Sequence, residues 1–140
     1  MKKKVQIPLY PRKIWLIDSI EDLEGFTFYR GGGNWTECPN SKEEITQGIE
    51  QGHFALLTHA VADENDNLGV IVYVDPNMDH DVGSFAHEAV HVADYVFDEL
   101  GMMSQSYDDC NEPYAYLVGW IANKIKKYYD SRRKQEPMED

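Results

Sequence analysis

The segment SFAHEAVHVADYV, residues 84–96, places His87 and His91 four residues apart, with Glu88 directly after the first. On a helix the two histidines lie about 40° apart around the axis, one turn along the same face. Asp94 and Asp98 continue that polar stripe, and Val82, Phe85, Ala89, Val92 and Val96 form an apolar stripe opposite, the one a core would take. Two imidazoles spaced in this way can bind one ion from a single helix. A catalytic zinc takes three nitrogen, oxygen or sulfur ligands and keeps a fourth position for water. Glu88 lies about 100° round from His87, which makes it a poor third ligand and a well-placed general base. Zinc brings the pKa of its water down towards about 7, so a carboxylate can take that proton near neutrality. The plainer alternative is two histidines that share a solvated helix face.

A third ligand is offered by the next helical pattern, NEPYAYLVGWIANKIKKYYDSRRK, with Asn111 as cap and Pro113 tolerable in the first turn. Tyr114, Leu117, Val118, Ile121 and Ile125 form its apolar stripe, and Glu112, Ala115, Gly119 and Asn123 lie on the other side. Ala115 and Gly119 are small, so a second helix could approach closely beside Glu112. The expectation is a site that unites His87, His91 and Glu112. Cys110 is a weaker accessory ligand candidate, for which a small packed residue is the plainer reading.

The elements around this pair follow from turn and cap signals. RKIWLID, residues 12–18, reads as a strand, and SIEDLEG as a short helix with Ser19 as cap and Gly25 as stop. FTFYR opens as a strand and breaks at Gly31, Gly32 and Gly33, a flexible loop that lacks the Lys-Ser/Thr ending of a phosphate cradle. SKEEITQGIEQG carries a capping box from Ser41 to Glu44 and reads as a helix ending near Gly52. FALLTHAV and GVIVYVD flank the polar DENDN, a hairpin signal. That turn lacks the glycine and glutamate of a calcium loop. The motif helix then runs from a cap at Asp79 or Asp81 to Gly101, and the tail, residues 130–140, is expected to fray.

HEAVH is an H-E-x-x-H motif, and NEPYA places Glu112 beside an asparagine at the start of the helical pattern that follows it. Together they resemble the gluzincins, the thermolysin-like zinc metallopeptidases, and most nearly minimal members that keep only this half. The resemblance covers residues 53–125; the segment 1–50 has no counterpart in it. It implies an α+β, zincin-like fold: a small, mostly antiparallel sheet with an edge substrate strand, packed on the motif helix and a second helix carrying the glutamate. It implies one zinc ion held by His87, His91 and Glu112, with Glu88 activating the water that hydrolyses a peptide bond. A substrate peptide would add a strand along Leu57, Thr58, His59 and Ala60. The family's usual aspartate after the second glutamate is replaced by Ala115 and Tyr116, and Asp94 could support a histidine instead. The lobe that stabilises the oxyanion is missing, which makes Tyr107 the first candidate for that role, with Tyr116 and His59 behind it. His80 and His53 read as surface residues. The competing accounts are a peptide-binding or regulatory module with weak or no catalysis, and a small protease that cuts one protein partner.

Bulk properties bound these readings. The chain has 140 residues, 42% of them hydrophobic, which suits one globular domain. A formal net charge of −12 argues against nucleic acid or anionic membrane and for peptide or protein substrates. The basic start is broken by Pro8 and Pro11 and is no signal peptide, and no run approaches the roughly 18 apolar residues of a membrane span. Cys38 and Cys110 are too few for a disulfide framework and read as reduced thiols of a cytoplasmic protein.

Overall fold

The computed structural model describes residues 1–30 and 35–133. The fold is α+β: a mixed six-stranded sheet with three α-helices among the described residues. The strands are β1 (Lys3–Gln6), β2 (Lys13–Ile17), β3 (Thr27–Arg30), β4 (Thr36–Glu37), β5 (Leu56–Ala62) and β6 (Leu68–Val74). The helices are α1 (Ser41–Glu50), α2 (Val82–Glu99) and α3 (Glu112–Arg133). Strand order is β1-β2-β6-β5-β3-β4, with β2 and β6 parallel and the other neighbours antiparallel.

Alternation along the strands splits the core into two layers. Val70, Val72 and Val74 of β6 face α2 and α3, together with Ile14 and Leu16 of β2. Ile71 and Tyr73 face the opposite layer with Trp15, Ile17 and Phe28, which α1 covers through Ile45. Because a central strand is covered on both sides, β6 is a continuous apolar run. The hairpin from β5 to β6 turns where the sequence expects it. Asp63 holds the turn by accepting from the backbone N–H of Asn65 and Asn67 and from the Asn67 amide.

The segment 1–50, which the resemblance left without a counterpart, builds much of this sheet. β1 and β2 extend it on one side, and β3 and β4 on the other. This overturns the expectation that β5 is an edge: Thr27, Phe28 and Tyr29 of β3 pair with Ala62, Val61 and Ala60. The pairing stops at Ala60. From Leu56 to His59, β5 has no partner on that side among the described residues.

Local signals were met unevenly. α2 starts at its expected cap, where Asp81 accepts from the Ser84 backbone N–H. α1 does not use the Ser41–Glu44 box: Ser41 is already its first residue, and Asn40 caps it with no side-chain bond. The expected helix after Ser19 is a 3-10 turn over Ile20–Leu23. Helix α3 runs through Arg133, so residues 130–133 are helical where fraying was expected. The glycine loop at Gly31 to Gly33 and residues 134–140 of the tail lie outside the described residues. No helix among the described residues is long and apolar enough to cross a membrane.

Candidate metal centre

Helix α2 buries Phe85, Ala89, Val92, Ala93, Val96 and Phe97, which turns His87 and His91 outward. Val82, expected in the buried stripe, is exposed in the first turn. The two imidazoles approach edge to face with ring centroids 4.7 Å apart, and their Nε2 atoms are 3.1 Å apart. Nitrogens bound tetrahedrally to one zinc at about 2.0–2.1 Å stand roughly 3.3 Å from each other. The separation is close to that of a two-imidazole zinc site, and it is also the distance of a hydrogen bond from one ring to the other.

Glu88 behaves differently from its neighbours. It is the one charged residue among those described that is buried as a whole, backbone and side chain together, at 8% exposed. A buried carboxylate is costly unless it is hydrogen-bonded, and the Thr58 hydroxyl of β5 donates to its Oε2 at 2.5 Å. His87 and Glu88 line an open groove of about 540 Å³ with Leu56, His80, Asp81 and Ser84. This groove runs between the start of α2 and the unpaired half of β5.

The remaining candidates are not gathered here. Among the described residues, no group of three or more His, Cys, Asp and Glu side chains could hold an ion. Glu112 is exposed in the first turn of α3. It stands nine positions before the buried Ile121, half a turn round the helix from the packed face. Gly119, expected to admit a close helix, faces open space: a Cβ there would meet nothing within 4 Å. The α2–α3 contact is made instead by large residues, with Tyr114 against Phe97 at 5.4 Å and Tyr129 against Phe85 at 5.3 Å. Those pairs also show that the helices run antiparallel.

Asp94 does not support a histidine. It accepts from the Tyr114 hydroxyl at 2.7 Å. Burial, followed by the Asp94 carboxylate, pushes the Tyr114 phenol up to about 12, which keeps it a donor. Asp98, the next residue of the polar stripe, accepts from the Trp35 indole N–H at 2.9 Å. Tyr107 is 85% exposed and Tyr116 76% exposed, and neither lines the groove. Cys110 is exposed rather than packed, and both cysteines are free.

Strand parity divides the expected substrate residues. Leu56, Thr58 and Ala60 share the α2 face with their partners Val74, Val72 and Val70. Leu57 and His59 point into the opposite layer. The His59 ring stands edge-on to Phe28 at 5.1 Å, and burial pulls its pKa below the ordinary value, partly offset by the Ala60 carbonyl. It stays neutral at physiological pH and is on the wrong face for the histidine pair. Ala60 is paired with Tyr29, so its backbone is not open to a peptide.

His80, read as a surface residue, is packed against Tyr129 at 5.0 Å, with its Nε2 2.9 Å from the Asp75 carbonyl oxygen. His53 is exposed, as expected. Two contacts were not foreseen from the sequence, Thr58 with Glu88 and Tyr114 with Asp94. Both join residues far apart in the chain. The parity of Thr58 on a half-buried strand was the one available signal for the first. Neither a family model, nor a curated protein, nor a solved structure matches this chain.

Proposed function

We propose that the chain is a zinc-dependent peptide hydrolase, with His87 and His91 as two zinc ligands, Glu112 as the third and Glu88 as general base. The observation that carries this reading is the geometry of the motif helix. Two exposed imidazoles hold their Nε2 atoms 3.1 Å apart, and the glutamate between them is turned inward and anchored. At that separation one imidazole N–H can donate to the other ring nitrogen, and a metal ion would replace that proton between the same two atoms.

A bound zinc supplies Lewis acidity at the scissile carbonyl and acidifies water. The rest is the work of the chain. Glu88 takes a proton from the attacking water, and the same proton passes to the nitrogen of the leaving amine as the C–N bond breaks. The groove between α2 and β5 receives the peptide, and the open half of β5 at Leu56 and Thr58 offers backbone groups to it. The net charge of −12 favours substrates with basic residues through long-range steering.

The test is metal content of the untagged protein by mass spectrometry, together with Glu112→Ala. About one zinc per chain is expected for the native sequence, with affinity falling roughly 100-fold or more in the variant. Undiminished affinity in Glu112→Ala would remove that residue from the ligand set. A second reading, a peptide-binding or regulatory module without catalysis, is favoured by the exposure of Glu112 on the side of α3 opposite its packed face. It requires peptide binding that is indifferent to zinc and to Glu88→Gln.

A further inference from the structure

We propose that Thr58 is the positioning residue for the general base, a role that rests on the hydrolase reading of His87, Glu88 and His91. From the sequence, Thr58 belongs among the residues that would touch substrate. Its side chain is instead committed to Glu88 across the interface between β5 and α2. The strand register leaves no other direction for it: Thr58 stands opposite Val72, on the face that packs against α2.

Three observations make this contact more than satisfaction of a buried charge. Glu88 is the residue next to a proposed ligand, so its rotamer decides whether its carboxylate reaches the water or swings away. The Thr58 bond takes Oε2 alone and leaves Oε1 to act as base. The donor also sits on the unpaired half of β5, between Leu56 and His59, where an incoming strand would lie. One residue thus offers its backbone to the peptide and its hydroxyl to the base. Docking of a substrate strand and alignment of the carboxylate are coupled through the same short stretch of chain. A hydrogen-bonded rotamer fixed before substrate arrives is what efficient proton transfer requires.

The test compares Thr58→Val, which keeps the shape and removes the hydroxyl, with Thr58→Ser, which keeps the hydroxyl. Zinc content and steady-state kinetics on a peptide library hit are measured for both. Thr58→Val is expected to lower kcat about tenfold, in line with loss of one hydrogen bond to a charged group. KM and zinc stoichiometry stay at the native values. Thr58→Ser recovers kcat to within about threefold of native, and in a Glu88→Gln background Thr58→Val has no further effect. A double-mutant cycle of Thr58→Val with Glu88→Ala, which removes the acceptor, should show the coupling in the unfolding of the zinc-free protein, without any turnover. Native kcat in Thr58→Val, or a Thr58→Ser variant as slow as Thr58→Val, overturns the positioning role while the hydrolase reading stands. A native protein that takes up no zinc and cleaves no peptide overturns both.

Discussion

The HEAVH stretch divides its residues by burial: both histidines point to solvent and Glu88 points in. That division separates ligand from base, since the three side chains would otherwise be equivalent polar groups on one helix. Glu88→Gln tests it directly. The amide is isosteric and can still accept from Thr58, so the fold and the histidine pair should be undisturbed. Zinc binding is expected to be retained within about twofold, and peptide cleavage to fall by roughly 10²–10⁴, the usual worth of a general base. Isothermal titration with zinc and a fluorogenic peptide assay give the two numbers. Cleavage at the native rate in Glu88→Gln would remove the base from the mechanism. At this scale the sequence was most informative: spacing alone set the shared face of His87 and His91, and the glutamate's separate direction. It placed Tyr114 in the apolar stripe of α3 but not the partner of its hydroxyl, which occupies Asp94 across a helix contact that no local pattern encodes.

Elements were legible where hydrophobic period and caps agreed. β2, the β5–β6 hairpin, α2 and α3 were all visible in the chain, because each has a clear apolar pattern bounded by turn residues. The position of β5 within the sheet was not. Whether a strand is an edge depends on which distant segment pairs with it, and β3 is separated from β5 in the chain by β4 and the whole of α1. β1 was missed because Lys2, Lys3 and Lys4 mask a four-residue strand whose single buried side chain is Val5. Gly69 shows how closely the sheet is built once assembled. It lies opposite Lys13 in the parallel β2–β6 pair, and a Cβ there would come within 2.1 Å of the Lys13 carbonyl oxygen and 2.7 Å of the Trp15 ring. A glycine within a strand often marks such an approach of another backbone. Gly69→Ala must push β2 away from β6, and both carry the core that seats α2. A loss of about 1–3 kcal/mol in urea unfolding is expected, typical of overpacking against a rigid neighbour. An unchanged urea midpoint would mean that the two strands are not in this register.

Across the whole molecule, the sheet, the last helix and the start of the chain meet at Asp18. Its side chain, 6% exposed, accepts from the Met1 amine and from the Arg132 guanidinium near the end of α3. Tyr128 closes the same corner by donating to the Met1 carbonyl. Burial alone would raise the Asp18 pKa, but the two cationic partners outweigh it and hold the carboxyl below its ordinary value of 3.8. A folded pKa below the unfolded one means that the charged form stabilises the fold. That contribution is present in full above about pH 4 and is lost as pH falls through the lower, folded value. Asp18→Asn removes the charge that the Met1 amine and the partly buried Arg132 guanidinium both meet. At pH 7 the variant is expected to be less stable by roughly 2–3 kcal/mol, somewhat under the usual loss for a fully buried pair. Below pH 4 the native protein loses the same interaction by protonation, so the two unfolding midpoints should converge. Urea titrations at pH 7, 4 and 3 follow the gap. A gap of constant size down to pH 3 would show that Asp18 works through packing rather than charge. Convergence would show that the charge of Asp18, and not its packing, ties the end of α3 to the sheet at this corner.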